Sequence, residues 1–113
     1  MQIPQTREEA IDFIDESLKE YATRHINGTT TLRLEIPIGT KKKPINEITV
    51  AMIRAKQMRS FNEDLPAMDQ FLTYAEELAN LTRNQVDALG PMDTQRLVAL
   101  IGQDFAGGPA SGG

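Results

Sequence analysis

The spacing of the hydrophobic residues changes twice along this chain, from three-and-four to two and back again. A helix repeats every 3.6 residues and a strand every two, so each change marks a change of secondary structure. In the first segment Ile11, Ile14, Leu18 and Tyr21 fall three and four apart, with Ala10 and Ala22 beside them. The spacing predicts a helix over 7–24, with Asp12, Asp15, Glu16, Lys19 and Glu20 on its polar face. Thr6 and Glu9 form a capping box at its start, and Asn27-Gly28 is its stop signal.

The spacing then becomes two. From Thr29 to Pro37, Leu32, Leu34 and Ile36 alternate with Arg33 and Glu35, the pattern of a half-buried strand. A second run from Ile45 to about Ile53 places Ile48, Val50 and Met52 on one face. Gly39 to Pro44, with Lys41, Lys42 and Lys43 at its tip, joins the two runs into an antiparallel hairpin with a loop somewhat longer than usual. Beyond Arg54 the helical period returns. Asp64 is placed to cap a helix carrying Met68, Phe71, Leu72, Ala75 and Leu78 and closing at Leu81. Thr82 caps a short helix with Val86 and Leu89. A last helix opens at Met92 or Asp93 and buries Leu97, Leu100 and Ile101. Strands grouped together and helices grouped together give an α+β fold: an N-terminal helix, a β-hairpin and a C-terminal bundle of about three helices. The expected organisation is 1–28 for the first helix, 29–105 for hairpin and bundle, and 106–113 for a flexible Gly-rich tail.

At 113 residues and 40% hydrophobic, the chain holds one core. It has no Cys and a single His, which removes disulfides, thiolate chemistry and a multi-His metal site. His25 reads as a surface residue at a helix end, and the acids of the first helix as solvated surface. Neither a phosphate-binding Gly loop nor a nucleophile elbow is present, so no catalytic residue, metal or cofactor is expected. No apolar run is long enough to span a bilayer, and the opening MQIPQTREEA lacks the basic-then-apolar pattern of a secretory signal. A net charge of −4 makes the chain a poor general partner for nucleic acid. Lys41–Lys43, with Arg54, Lys56 and Arg59 the chain's basic cluster, read as a solvated hairpin tip, with no aromatic near the three lysines to stack on bases.

In a chain this short most apolar residues around its middle are expected in the core, yet as a group they are the best candidate for a partner groove. Met52, Met58, Phe61, Met68 and Phe71 lie within twenty residues, and methionine suits surfaces that accept varied apolar partners. With Leu72, and with Leu97, Leu100 and Phe105 of the last helix, they form the predicted partner-binding set. A bare hairpin leaves open edges, so self-association is also expected.

Three stretches carry a family resemblance. They are Leu32-Arg33-Leu34-Glu35-Ile36-Pro37-Ile38; Pro44-Ile45-Asn46-Glu47-Ile48-Thr49-Val50 followed by Arg54; and Leu78-Ala79-Asn80-Leu81-Thr82 with Val86-Asp87-Ala88-Leu89, Met92-Asp93 and Leu97. In order and spacing they resemble the tail assembly chaperones of contractile-tailed phages, the Mu-like group and its relatives. The likeness spans about two thirds of the chain, and the helix before it precedes the usual start. It implies a non-enzymatic protein that binds the long helical tape-measure protein and keeps it soluble in the host bacterial cytoplasm. Such a protein leaves before the virion is complete. The resemblance also implies, as a possible partner, a frameshift-extended form of the same chain, for which the Gly-rich tail would serve as linker. The alternatives are a structural minor tail or baseplate subunit and, more weakly, a nucleic-acid module using the lysine loop.

Overall fold

A computed structural model describes residues 16–106. The expected Thr6–Glu9 cap, the Ile11 and Ile14 positions and the tail beyond Ala106 lie outside them. Helix α1 covers residues 16–21 and passes directly into strand β1, Ala22–Arg24. Strands β2 (Thr30–Gly39) and β3 (Pro44–Val50) follow, then helices α2 (Ala55–Ser60), α3 (Ala67–Leu78), α4 (Arg83–Asp87) and α5 (Pro91–Phe105). The fold is α+β, with an antiparallel sheet in the order β1-β2-β3.

The sheet has one strand more than the alternation predicts. The first helix does not run to Arg24, because Ala22–Arg24 pairs with β2 as Ala22↔Leu32, Thr23↔Thr31 and Arg24↔Thr30. Asn27-Gly28 therefore turns a hairpin instead of stopping a helix. Gly28 has φ +92°, which a side chain would resist. The Asn27 side-chain oxygen accepts from the Thr29 N–H at 3.0 Å and from its hydroxyl at 2.8 Å. His25 is exposed, with Nε2 2.6 Å from the Thr31 hydroxyl.

Strands β2 and β3 pair in register from Thr30↔Val50 to Arg33↔Glu47, and again at Ile38↔Ile45 and Gly39↔Pro44. Between these blocks four residues of β2, 34–37, oppose Asn46 alone. Pro37 has no N–H to give to a ladder, which favours an interruption here. The irregularity breaks the expected alternation. Leu32, Leu34 and Ile38 are buried, whereas Ile36 is 52% exposed. Ile36 instead leans over Gly90, where an added Cβ would come within 2.8 Å of its Cδ1. The connection from β2 to β3 is four residues, 40–43, shorter than expected because both strands extend toward the tip. Strand β3 ends at Val50, where the Ala51 N–H donates to the Leu78 carbonyl at 2.8 Å and ties the sheet to the end of α3.

The helix boundaries follow local chemistry. Asp64 does not cap α3; Pro66 occupies that position, and the Gln70 side chain organises the loop before it. Gln70 accepts from the Asn62 N–H at 2.7 Å and donates to the Asn62 carbonyl at 2.8 Å. Helix α3 ends at Leu78, short of the expected Leu81, because Asn80 adopts φ 53°. The Leu81 N–H then closes back on the Glu76 carbonyl at 3.0 Å, a left-handed stop made with Asn in place of Gly. Thr82 caps α4 as expected, with reciprocal bonds to Gln85 of 3.2 and 2.9 Å. Pro91 opens α5, one position before Met92, where its missing N–H costs nothing.

The core lies between the sheet and helices α3 and α5. Leu32, Ala75 and Leu97 are fully buried, and Val50, Leu100 and Ile101 nearly so. Full burial of one such Leu or Ile side chain stabilises by about 1.5–3 kcal/mol.

Candidate functional site

The nine predicted partner residues divide by burial. Leu97, Leu100 and Phe71 are 0%, 3% and 9% exposed and belong to the core. That corrects their place in a partner surface: the same three-and-four spacing that marks an apolar stripe also marks the stripe that faces inward. Met52, Met58 and Met68 are 47%, 46% and 49% exposed. Phe61, Leu72 and Phe105 are half-buried, packed against the core from outside.

The structure brings most of the set together around one aromatic cluster. Phe61, the residue ending α2, stacks on Phe71 of α3 with ring centres 5.5 Å apart and meets Phe105 of α5 at 4.8 Å. Phe71 also meets Phe105 at 5.8 Å and Tyr74 at 6.2 Å. Three helices thus converge on four rings at offset and tilted angles, which aromatic pairs prefer. Met58 lies one turn before Phe61, and Met68 one turn before Phe71 and Leu72. Leu65, in the loop between α2 and α3, is a further exposed apolar side chain, at 55%. Sequence reasoning passed over Leu65, because a single Leu among Asn62, Glu63, Asp64 and Pro66 has no periodic neighbour. Met52 lies apart from the rings, with Cε 4.0 Å from where a Cβ on Gly28 would stand.

Hydrogen bonds on the opposite side of α2 hold Met58 outward. Gln57, 6% exposed, donates from Nε2 to Glu77 Oε2 at 2.9 Å and accepts from the Arg54 N–H at 2.9 Å. The Ser60 hydroxyl donates to the Gln57 carbonyl at 2.9 Å and lies 3.2 Å from the Tyr74 hydroxyl. The polar side of this one-and-a-half-turn helix is therefore committed to α3, and its methionine is left at the surface.

A second cluster, invisible to the hydrophobic pattern, fastens the other end of the molecule. Asp93 on α5 is 1% exposed. Its two carboxylate oxygens accept from the Glu35 N–H at 2.9 Å and the Ile36 N–H at 3.0 Å. Consecutive N–H groups of a regular strand point opposite ways, so only the interrupted stretch of β2 can present both to one carboxylate. Arg96 is 3% exposed and binds Asp93 Oδ1 and Glu35 Oε2, each at 3.1 Å. It also donates from Nε to the Ser17 hydroxyl at 2.6 Å and lies 4.0 Å from the centre of the Tyr21 ring. One guanidinium joins α1, β2 and α5. A further link, Arg24 to Asp104 at 2.6 Å, ties β1 to the end of α5. The spacing offered a signal: Asp93, Arg96 and Asp104 fall on the same three-and-four stripe as Leu97, Leu100 and Ile101.

Lys41, Lys42 and Lys43 are exposed at the hairpin tip. Among the described residues, no group of three or more His, Asp or Glu is placed to hold a metal ion. No described helix is long and apolar enough to cross a membrane. In comparisons with known proteins, no family model, curated protein or solved structure matches the chain.

Proposed function

We propose that this chain is a tail assembly chaperone that binds a phage tape-measure protein and keeps it soluble in the host bacterial cytoplasm until the tail tube forms around it. The single observation that supports the reading most is the apolar surface left over once the core is filled. Met58, Leu65 and Met68 stand exposed on α2, on α3 and in the loop between them, the segment that also carries the clustered rings Phe61 and Phe71. Met side chains adapt to irregular apolar ridges, which suits a client presenting many similar helical turns. Modest affinity per contact suffices, since several copies along one client act together. The resemblance of Leu32–Phe105 to that family supports the same reading. In this reading the protein is not an enzyme, needs no cofactor and is missing from the finished virion.

Co-expression with a phage tape-measure protein tests the proposal. A soluble complex of the two is expected; a tape-measure protein equally insoluble with and without this chain overturns it. The edge of β3, unpaired among the described residues, favours a second reading, a structural minor tail or baseplate subunit. Mass spectrometry of purified particles separates the two: the chaperone is absent from them, and a subunit is present at fixed copy number.

A further inference from the structure

The outer edge of β3 pairs with no strand among the described residues. Two features guard it. Pro44 at its first position cannot donate to a new ladder, and the exposed lysines at the tip repel strands of like charge. Both turn away arbitrary strands, yet neither closes the edge beyond Pro44. Lys43, Ile45 and Glu47 stand two residues apart at the entrance of the strand, a positive, an aliphatic and a negative group in turn. Read antiparallel, that order is complementary to itself.

The charges are also available. Glu47 faces Arg33 in register, but Arg33 turns away to the Tyr21 ring at 5.1 Å and the Glu20 carbonyl at 3.3 Å. Lys43 and Glu47 are exposed and form no ion pair within the described residues, and Ile45 is half-buried. We infer that β3 pairs antiparallel with β3 of a second copy, in a two-fold register centred on Ile45. Ile45 then faces its own counterpart, Pro44 faces Asn46, and Lys43 faces Glu47 on both sides of the axis. A register centred on Glu47 instead would set the two glutamates against each other. The result is a sheet of six strands with β3 and its copy at the centre. The inference does not depend on the client proposed above.

Sedimentation equilibrium of the full chain over a range of concentrations tests it. The expected result is a mass rising from monomer to dimer. The Glu47→Lys variant sets four lysines facing one another in two pairs and weakens the dimer by at least about tenfold. The double variant Lys43→Glu/Glu47→Lys restores opposite charges and returns the dimer to within about threefold of the starting value. Both positions are exposed, and circular dichroism confirms that each variant is folded. A monomer at millimolar concentration, a dimer indifferent to Glu47→Lys, or a double variant no tighter than the single one each overturns the pairing.

Discussion

The two ends of α5 solve the problem of contact with the rest of the chain in opposite ways. At its start, Asp93 and Arg96 are buried charges whose partners are fixed one by one: two strand N–H groups, a carboxylate and a hydroxyl. At its finish, Phe105 joins an aromatic cluster with Phe61 and Phe71, carried by the segment in which Met58, Leu65 and Met68 are exposed. Buried polar groups tolerate one geometry, because each lost bond leaves a desolvated charge or dipole. Apolar contacts tolerate many, because they have no direction. The first end therefore specifies how α1, β2 and α5 meet, and the second is free to accept another surface. A protein that must hold its own shape while covering a variable client needs both.

The largest effect that can break this comparison lies at the polar end. Asp93→Ala leaves Arg96 without the buried one of its two carboxylate partners and orphans two strand N–H groups. A loss of about 3–5 kcal/mol in urea unfolding is expected. If the loss is below about 1 kcal/mol, the network does not fix the junction. Leu97→Ala, at a position with no exposure, is expected to cost about 2–5 kcal/mol by the same measurement, as a cavity left between the sheet and α3. Thr82→Ala removes the cap of α4 and should cost about 1 kcal/mol. The smallest effect on stability belongs to the aromatic end. Met68→Lys should change unfolding by no more than about 0.5 kcal/mol, because the side chain is half in solvent. It sharpens the contrast if the same variant loses client binding in a pull-down.

Much of the fold was legible because most of the core follows simple periods. The Leu32–Leu34 alternation, the Thr82–Gln85 cap and the Leu97–Leu100–Ile101 face are local signals, and each is found where the sequence put it. Strand β1 was hidden because three residues are too few to display a period, and Ala22 also completes a helical stripe. The outward Ile36 was hidden because its N–H at the irregularity of 34–37 finds its partner in Asp93, 57 residues away. Asp93 itself reads like any acid in a first helical turn; only its place on the apolar stripe distinguishes it. For the candidate surface, composition pointed to Met58, Phe61, Met68 and Phe105. It could not separate them from Phe71, Leu97 and Leu100, since burial depends on which side of each stripe meets the sheet.

The central claim is that the apolar rim at Met58, Leu65 and Met68 is spare surface reserved for a client. The most direct measurement compares tape-measure solubility on co-expression with the native chain and with a Met58→Lys/Leu65→Lys/Met68→Lys variant shown by urea unfolding to be folded. Soluble client is expected with the native chain and pelleted client with the variant. Equal solubility with both would contradict it.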